Sequence, residues 1–370
     1  MLKKISELSH LKMILNEFPK SIKFCFAYGS GAFRQLNNHD DKMLDLIFVV
    51  KNPNKWHAEN LKLNPKHYFL PMRYLGHKFI TNIQENWGAK IYYNTLVKTK
   101  AGQTIKYGIM SDISLIEDLI DWNNLYVAGR LHKPVEVLIE PAENSPIRMA
   151  LVENLHSAVR AAFLLLPEHF TKINFYKVIA GLSYSGDFRM TFGENKDKIH
   201  NIVVPQLQSF QELYAPILQH YEQFIDFPKS DQPTVMCHQD TNPTTRIYHL
   251  NQLPLTPQIK LVKAWSVGSR SKDMEDCLHS IAYDPECCEI LKRSLKEIVW
   301  RSSVTQSLKG ILTAGFIKSV MYSNAKIKKM LQSNLQTNIP SESKSDKISN
   351  LVETVVKKQT EAKDTDKRLE

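Results

Sequence analysis

Apolar positions in the first third of the chain fall in short, nearly unbroken runs. Ile22–Tyr28 (IKFCFAY) has the length and β-rich content of a buried strand, and it runs straight into Gly29-Ser30-Gly31, a tight turn. Met43–Val50 (MLDLIFVV) predicts a second strand, ended by Pro53, with a helix over Asn54–Leu63. Tyr92–Thr99 and Thr104–Met110 flank Ala101-Gly102-Gln103 and predict a hairpin. Ser111 is placed to cap a helix running to about Trp122, and Val135–Ile139 predicts a further short strand. From Pro146 onward the spacing turns helical, as in Ile147–Leu165. Strands therefore concentrate before about residue 142 and helices after it, the pattern of an α/β (α+β) protein with a mixed sheet and an appended helical part. At the N-terminus Ile5, Leu8, Leu11 and Leu15 share helical spacing, and Met1–Phe18 reads as a folded first helix. Its glutamate and lack of arginine make it a poor transit peptide.

Composition narrows the class further. The chain has 370 residues, 43% apolar and 23% charged, which excludes a collagen and a wholly disordered protein. No apolar stretch reaches the ~18–20 residues that a membrane span requires. Its five cysteines include no CxxC pair, so neither a zinc ribbon nor a secreted disulfide framework is expected. The net charge of +10 points to anionic partners without naming them. Residues 289–330 hold nine Lys/Arg against two Asp/Glu, which is most of the excess. Residues 340–370 balance seven basic with seven acidic residues and contain no aromatic, the composition of a largely disordered tail.

The candidate chemistry begins at the glycine turn. Small residues at 29 and 31 let backbone N–H groups approach a phosphate, and the Ser30 hydroxyl adds a donor. The turn is neither a Walker A loop nor a GxGxxG fingerprint. With fourteen residues between it and Ser30, Asp45 interrupts an otherwise apolar strand, where a carboxylate is costly unless paired or bound to metal. A strand, a Gly-Ser turn and an aspartate on the next strand is the layout of nucleotidyltransferases, in which the turn holds a triphosphate and the carboxylate holds magnesium (Mg2+). The competing reading of Asp45 is a satisfied structural carboxylate. The position two residues on, where such enzymes usually carry a second carboxylate, is Ile47. Asp112 and Asp187 are candidates to supply it; Asp40 and Asp41 sit in a polar loop that suggests solvation.

The longer pattern resembles one family. Tyr28-Gly29-Ser30-Gly31, Met43-Leu44-Asp45-Leu46-Ile47-Phe48, Trp56-His57 and Asn64-Pro65-Lys66-His67-Tyr68 occur in order with Ile105-Lys106-Tyr107-Gly108. Ala128-Gly129-Arg130-Leu131, Gly181-Leu182-Ser183-Tyr184-Ser185-Gly186-Asp187-Phe188-Arg189 and Ser307-Leu308-Lys309-Gly310-Ile311 follow. Together they resemble the mitochondrial CDP-diacylglycerol synthases, over roughly residues 10–322. The resemblance implies a nucleotidyltransferase-like domain at 1–142 and a helical, winged-helix-like domain at 143–288. It implies transfer of a cytidylyl group from CTP to phosphatidic acid with magnesium as cofactor, on the matrix face of the inner mitochondrial membrane, feeding cardiolipin synthesis.

Site roles follow from that resemblance. Asp45 would bind the metal, while Gly29, Ser30 and Gly31 would cradle the triphosphate. Lys106 would contact phosphate, or else be a solvated strand lysine. Asp187 and Arg189, two apart after a glycine, suit a metal or phosphate site, or a structural salt bridge. His57 joins the nucleotide-binding candidates, with a surface or capping role as the alternative. Arg130 and Lys133 could face phosphate or solvent. In 289–335, read as a basic amphipathic membrane element, Phe316 and Val320 share a helical face while Lys318 and Lys329 lie opposite, with Lys326 nearby. An anionic membrane surface is its expected partner and nucleic acid is not. Residues 336–370 form the tail. Two other readings compete: a nucleotidyltransferase acting on RNA or a small molecule, and a non-enzymatic inner-membrane maintenance factor, suggested by Ile47.

Overall fold

The computed structural model describes residues 11, 13–32, 43–192, 197–230, 232–265 and 273–314. Its centre is a five-stranded mixed sheet built from β1 (Ile22–Tyr28), β2 (Leu44–Val50), β3 (Tyr92–Lys98), β4 (Thr104–Ser111) and β5 (Glu136–Ile139), in the order β3-β4-β2-β1-β5. β2 runs parallel to β4, and the other neighbours are antiparallel. The central β2 is apolar at almost every position because both of its faces are covered. Leu44, Leu46, Phe48 and Val50 pack into one hydrophobic cluster, Ile47 and Val49 into another.

Helices α1 (Pro53–Leu63) and α2 (Leu70–Asn86) lie over the first of those clusters. Asn52 caps α1 through Lys55 N, and Pro53 stands at its first turn, where a missing N–H costs nothing. The opposite face is covered by α3 (Asp112–Asp121) and by the long α4 (Pro146–Leu165). Ser111 caps α3 as its sequence position predicts, its Oγ accepting from Ser114 N. The second cluster continues from Phe24 and Phe26 through α4 into the C-terminal helices, so one core crosses residue 142 without interruption.

Helices dominate after residue 142, as the spacing predicts, and three short strands join them: β6 (His169–Thr171), β7 (Ile225–Asp226) and β8 (Met236–Gln239) form a small antiparallel sheet in the order β6-β8-β7. Strands of two to four residues are too short to show alternation in sequence. One expectation needs correction: the basic segment from 289 is not a free surface element over its described part. Residues 287–314 form one helix, α5 (Cys287–Ala314), whose Ile290, Leu291, Leu295, Ile298 and Val299 are buried. Farther along α5 a polar stripe docks on the turn before β3. Gln306 accepts from Ala89 N at 3.0 Å and donates to Ile91 O at 3.2 Å, and Lys309 Nζ donates to Trp87 O at 2.6 Å. Phe316, Lys318, Val320, Lys326 and Lys329 lie outside the described residues, as do Met1–His10 and the tail.

Candidate active site

Strand register gathers the site at one end of the sheet. Tyr28 at the end of β1 pairs with Asp45 at the start of β2, and Asp45 pairs with Lys106 on β4. Because side chains alternate along a strand, all three share the face of Ile47 and Val49. Lys106 Nζ lies 3.6 Å from Asp45 Oδ1 and 4.4 Å from the centre of the Tyr93 ring. The Tyr28 and Tyr93 hydroxyls are 3.4 Å apart.

The Gly29-Ser30-Gly31 turn closes the end of β1 as a short 3-10 turn. Gly29 has φ +75°, and a Cβ there would stand 3.6 Å from Asp45 Oδ2, so the turn backbone borders the carboxylate. At Gly31 a Cβ would come within 2.4 Å of Met43 O, which leaves no room for any side chain. The two glycines therefore have different causes: a left-handed backbone at one, close approach to the next strand at the other.

A loop after α3 faces the strand residues. Asp118, buried in α3, accepts from the backbone N–H of Asn124, Tyr126, Val127 and Ala128 at 2.8–3.1 Å. Burial raises its carboxyl above the ordinary value, against the opposing pull of those four donors. This anchor fixes Tyr126 and the short helical turn Ala128–Leu131 that carries Arg130. The Arg130 guanidinium lies 3.9 Å from the Tyr126 ring centre and 5.2 Å from that of Tyr28, and it donates to Tyr126 O. Burial alone would raise the Tyr126 hydroxyl. Arg130, Arg189 and Lys106 outweigh that and hold it below the usual tyrosine range. Three cations thus act on Tyr126, and one of them, Lys106, pairs with Asp45.

The 181–189 stretch packs on the same loop. Ser183 Oγ donates to Gly129 O at 3.2 Å, and Lys133 Nζ reaches Ser183 Oγ at 3.0 Å. Asp187 is 4% exposed and is gripped by Arg189, with Nε to Oδ1 at 2.9 Å and Nη2 to Oδ2 at 2.5 Å. Burial would raise the Asp187 carboxyl, but Arg189 draws it below the ordinary value. Asp187 is therefore a positioning partner for Arg189 and not a free metal ligand.

Two other sequence candidates lie elsewhere. His57 is fully buried on the opposite sheet face, its Nδ1 2.8 Å from Tyr68 Oη and its Nε2 2.9 Å from Gln84 Oε1. Burial lowers it to about 4, so it is neutral with both nitrogens engaged, and it takes no part in binding a phosphate. Asp112 follows the far end of β4 and pairs with Lys23 at 2.7 Å. Asp118, Tyr93 and Tyr126 were missed by the sequence reading. A carboxylate between Leu115 and Leu119 on the apolar face of a helix was the available signal for Asp118.

The residues fit one divalent cation. Asp45 Oδ1 is buried and accepts no hydrogen bond, an unusual state for a carboxylate oxygen. Asp45 Oδ2 borders the glycine turn, Lys106 Nζ stands 3.6 Å from Oδ1, and carboxylate oxygen suits a hard cation such as magnesium. Ile47 is buried in the core, so β2 supplies no second carboxylate.

A family model described as mitochondrial phosphatidate cytidylyltransferase matches residues 11–329. Similar proteins carry that same name. The one from Danio rerio is 45% identical over 323 residues, 86% of this chain and 94% of its own length. The one from Drosophila melanogaster is 43% identical over 327 residues, 84% and 94% respectively. The one from Homo sapiens is 45% identical over 307 residues, 82% and 66%. With its glycine turn, strand aspartate and cation cluster brought to one end of one sheet, the chain belongs to the mitochondrial phosphatidate cytidylyltransferase family.

Proposed function

We propose that this protein transfers the cytidylyl group of CTP to phosphatidic acid, releasing pyrophosphate and CDP-diacylglycerol. The observation that carries the reading is Asp45, whose Oδ1 is buried without a hydrogen bond and faces Lys106 at 3.6 Å, while its Oδ2 borders the glycine turn. A phosphate monoester oxygen of phosphatidic acid attacks the α-phosphorus of CTP. That nucleophile is anionic at neutral pH, so the protein needs no strong general base. Its task is positioning and neutralising negative charge. Gly29 and Ser30 offer backbone and hydroxyl donors to the triphosphate. Lys106, Arg130 and Arg189 balance its charge and that of the lipid headgroup, with Arg189 aimed by Asp187 and Arg130 by the Asp118 anchor. Bound to Asp45, magnesium would supply charge neutralisation at the triphosphate.

The setting follows from the substrate. No described helix is long and apolar enough to cross a membrane. We place the enzyme peripherally on the matrix side of the inner mitochondrial membrane, feeding cardiolipin synthesis, with Phe316, Lys318, Val320, Lys326 and Lys329 contributing to attachment. The test is purified protein with CTP, magnesium and vesicles containing phosphatidic acid. CDP-diacylglycerol should form, and its formation should fall by about 10²–10³-fold in Asp45→Asn. Product formation by that variant at the wild-type rate would overturn the metal assignment, and cytidylylation of RNA in place of lipid would overturn the substrate.

A further inference from the structure

A second cluster of ligating side chains lies on the small sheet, in a part of the fold that the proposed reaction does not use. His169 on β6 and His238 on β8 stand directly opposite each other in the antiparallel ladder. Their rings are 4.8 Å apart between centres. Glu168, the residue before β6, places one oxygen between them: Oε1 is 3.2 Å from His238 Nε2 and 3.5 Å from His169 Nε2. Among the described residues this is the one group of three or more His, Cys, Asp or Glu side chains whose ligand atoms all lie within 4.8 Å of one another.

Geometry distinguishes this cluster from a chance surface gathering. Zinc bonds of about 2.0–2.1 Å at tetrahedral angles separate neighbouring ligand atoms by ~3.3 Å. Two of the three edges here, at 3.2 and 3.5 Å, already bracket that spacing. The third needs only a small rotation of two exposed rings. The backbone beneath is held firmly. The next ladder pair, Phe170 and Cys237, is buried, which fixes both histidines outward. Gln239 N donates to Glu168 O at 2.9 Å, which extends the ladder to the glutamate. The buried Gln239 amide donates to the carbonyls of Phe163, Leu166 and Pro167 at 2.9–3.0 Å, tying down the segment that leads into Glu168.

We propose that Glu168, His169 and His238 bind a divalent transition ion of the zinc class, with water completing the shell. Two imidazoles and one carboxylate suit zinc better than magnesium, which prefers an all-oxygen shell, so this site and Asp45 select different ions. The bound ion staples β6 to β8, two strands of three and four residues that have few ladder bonds of their own.

The test uses the full chain. Zinc binding is followed by calorimetry, and cobalt(II) serves as the optical probe of a four-coordinate nitrogen and oxygen shell. Wild type and Asp45→Asn should each take up one zinc ion at this site with the same affinity. His238→Ala and Glu168→Gln should weaken it by about tenfold or more and abolish the cobalt bands. His279→Ala, which removes an exposed histidine elsewhere, should change nothing. Circular dichroism checks the folding of His238→Ala, and Glu168→Gln changes one exposed side chain and carries the test if His238→Ala does not fold. Equal zinc affinity in wild type and Glu168→Gln, or no saturable uptake by Asp45→Asn, overturns the proposal.

Discussion

The two faces of the five-stranded sheet, at the same end and one residue apart along each strand, do opposite work. Lys106 and Tyr107 are neighbours on β4, as Tyr92 and Tyr93 are on β3. The odd partner of each pair goes to a different environment. On one face Tyr93 and Lys106 join Asp45, Tyr28, Arg130 and Tyr126 in a cluster of charges. On the other Tyr107 accepts from Asn60 at 3.0 Å, within a buried network of His57, Tyr68, Asn60 and Gln84 that reaches Glu85 at its rim. Burial raises the hydroxyls of Tyr68, Tyr92 and Tyr107, and on the charged face those of Tyr28 and Tyr93, whereas cations pull that of Tyr126 down. The same residue types thus become scaffold or chemistry according to whether charge faces them.

That contrast can be broken most sharply at Asp45. Asp45→Asn should lower turnover by about 10²–10³-fold, the scale for losing one charge-stabilising group, and leave unfolding stability within about 1 kcal/mol of wild type. Steady-state assay and thermal denaturation read the two quantities separately. His57→Leu should give the reverse signature. It strands the Tyr68 and Gln84 partners, so chemical denaturation should show a loss of about 2–4 kcal/mol, with turnover per folded molecule unchanged. A comparable loss of turnover in His57→Leu would return that residue to the site.

Buried histidines should make the fold acid-sensitive. Unfolded histidine takes up its proton near 6.5, while burial keeps folded His57 neutral down to about 4. The unfolded state therefore gains the proton first, and stability present above pH 6.5 falls as the pH drops toward 4. His57 contributes up to about 3 kcal/mol to that fall. His249, also lowered to about 4 by burial, adds to the same window. Denaturation midpoints at pH 7 and pH 4.5 would measure the effect, and the His57→Leu difference should shrink at the lower pH.

The alkaline counterpart is Lys309, whose ammonium is buried against Trp87 O and lowered to about 7. An unfolded lysine keeps its proton to about 10.5, so folding releases one between pH 7 and 10.5, and stability rises with pH there. The slope from this group is at most about 1.4 kcal/mol per pH unit. Lys309→Met should remove that increment from the measured slope.

The strands, the hairpin, the capped helix and the glycine turn were legible in sequence because short-range patterns encode them. Asp45 and Lys106 were legible as candidates, being charges within apolar runs, and the sheet register then placed them side by side. His57 was misread because nothing in Trp56-His57 tells which sheet face α1 covers. Asp187 and Arg189 were read as a metal or phosphate site with a salt bridge as the alternative; the salt bridge is what forms, and its place in the fold depends on the Gly129–Ser183 contact, 54 residues apart in sequence. Lys309 fell within the segment read as a basic membrane element, and its burial was not legible because it depends on α5 reaching back to the turn at Trp87, 222 residues away.

The four backbone bonds to Asp118 bear on how inherited variation in this protein would be interpreted. A substitution there touches neither nucleotide nor lipid, yet it would release the loop that holds Tyr126 and Arg130. In a screen scored only by growth it would be grouped with Asp45. Assayed as purified protein, it should behave as a conditional allele, with activity that recovers at low temperature, whereas an Asp45 allele stays dead at every temperature.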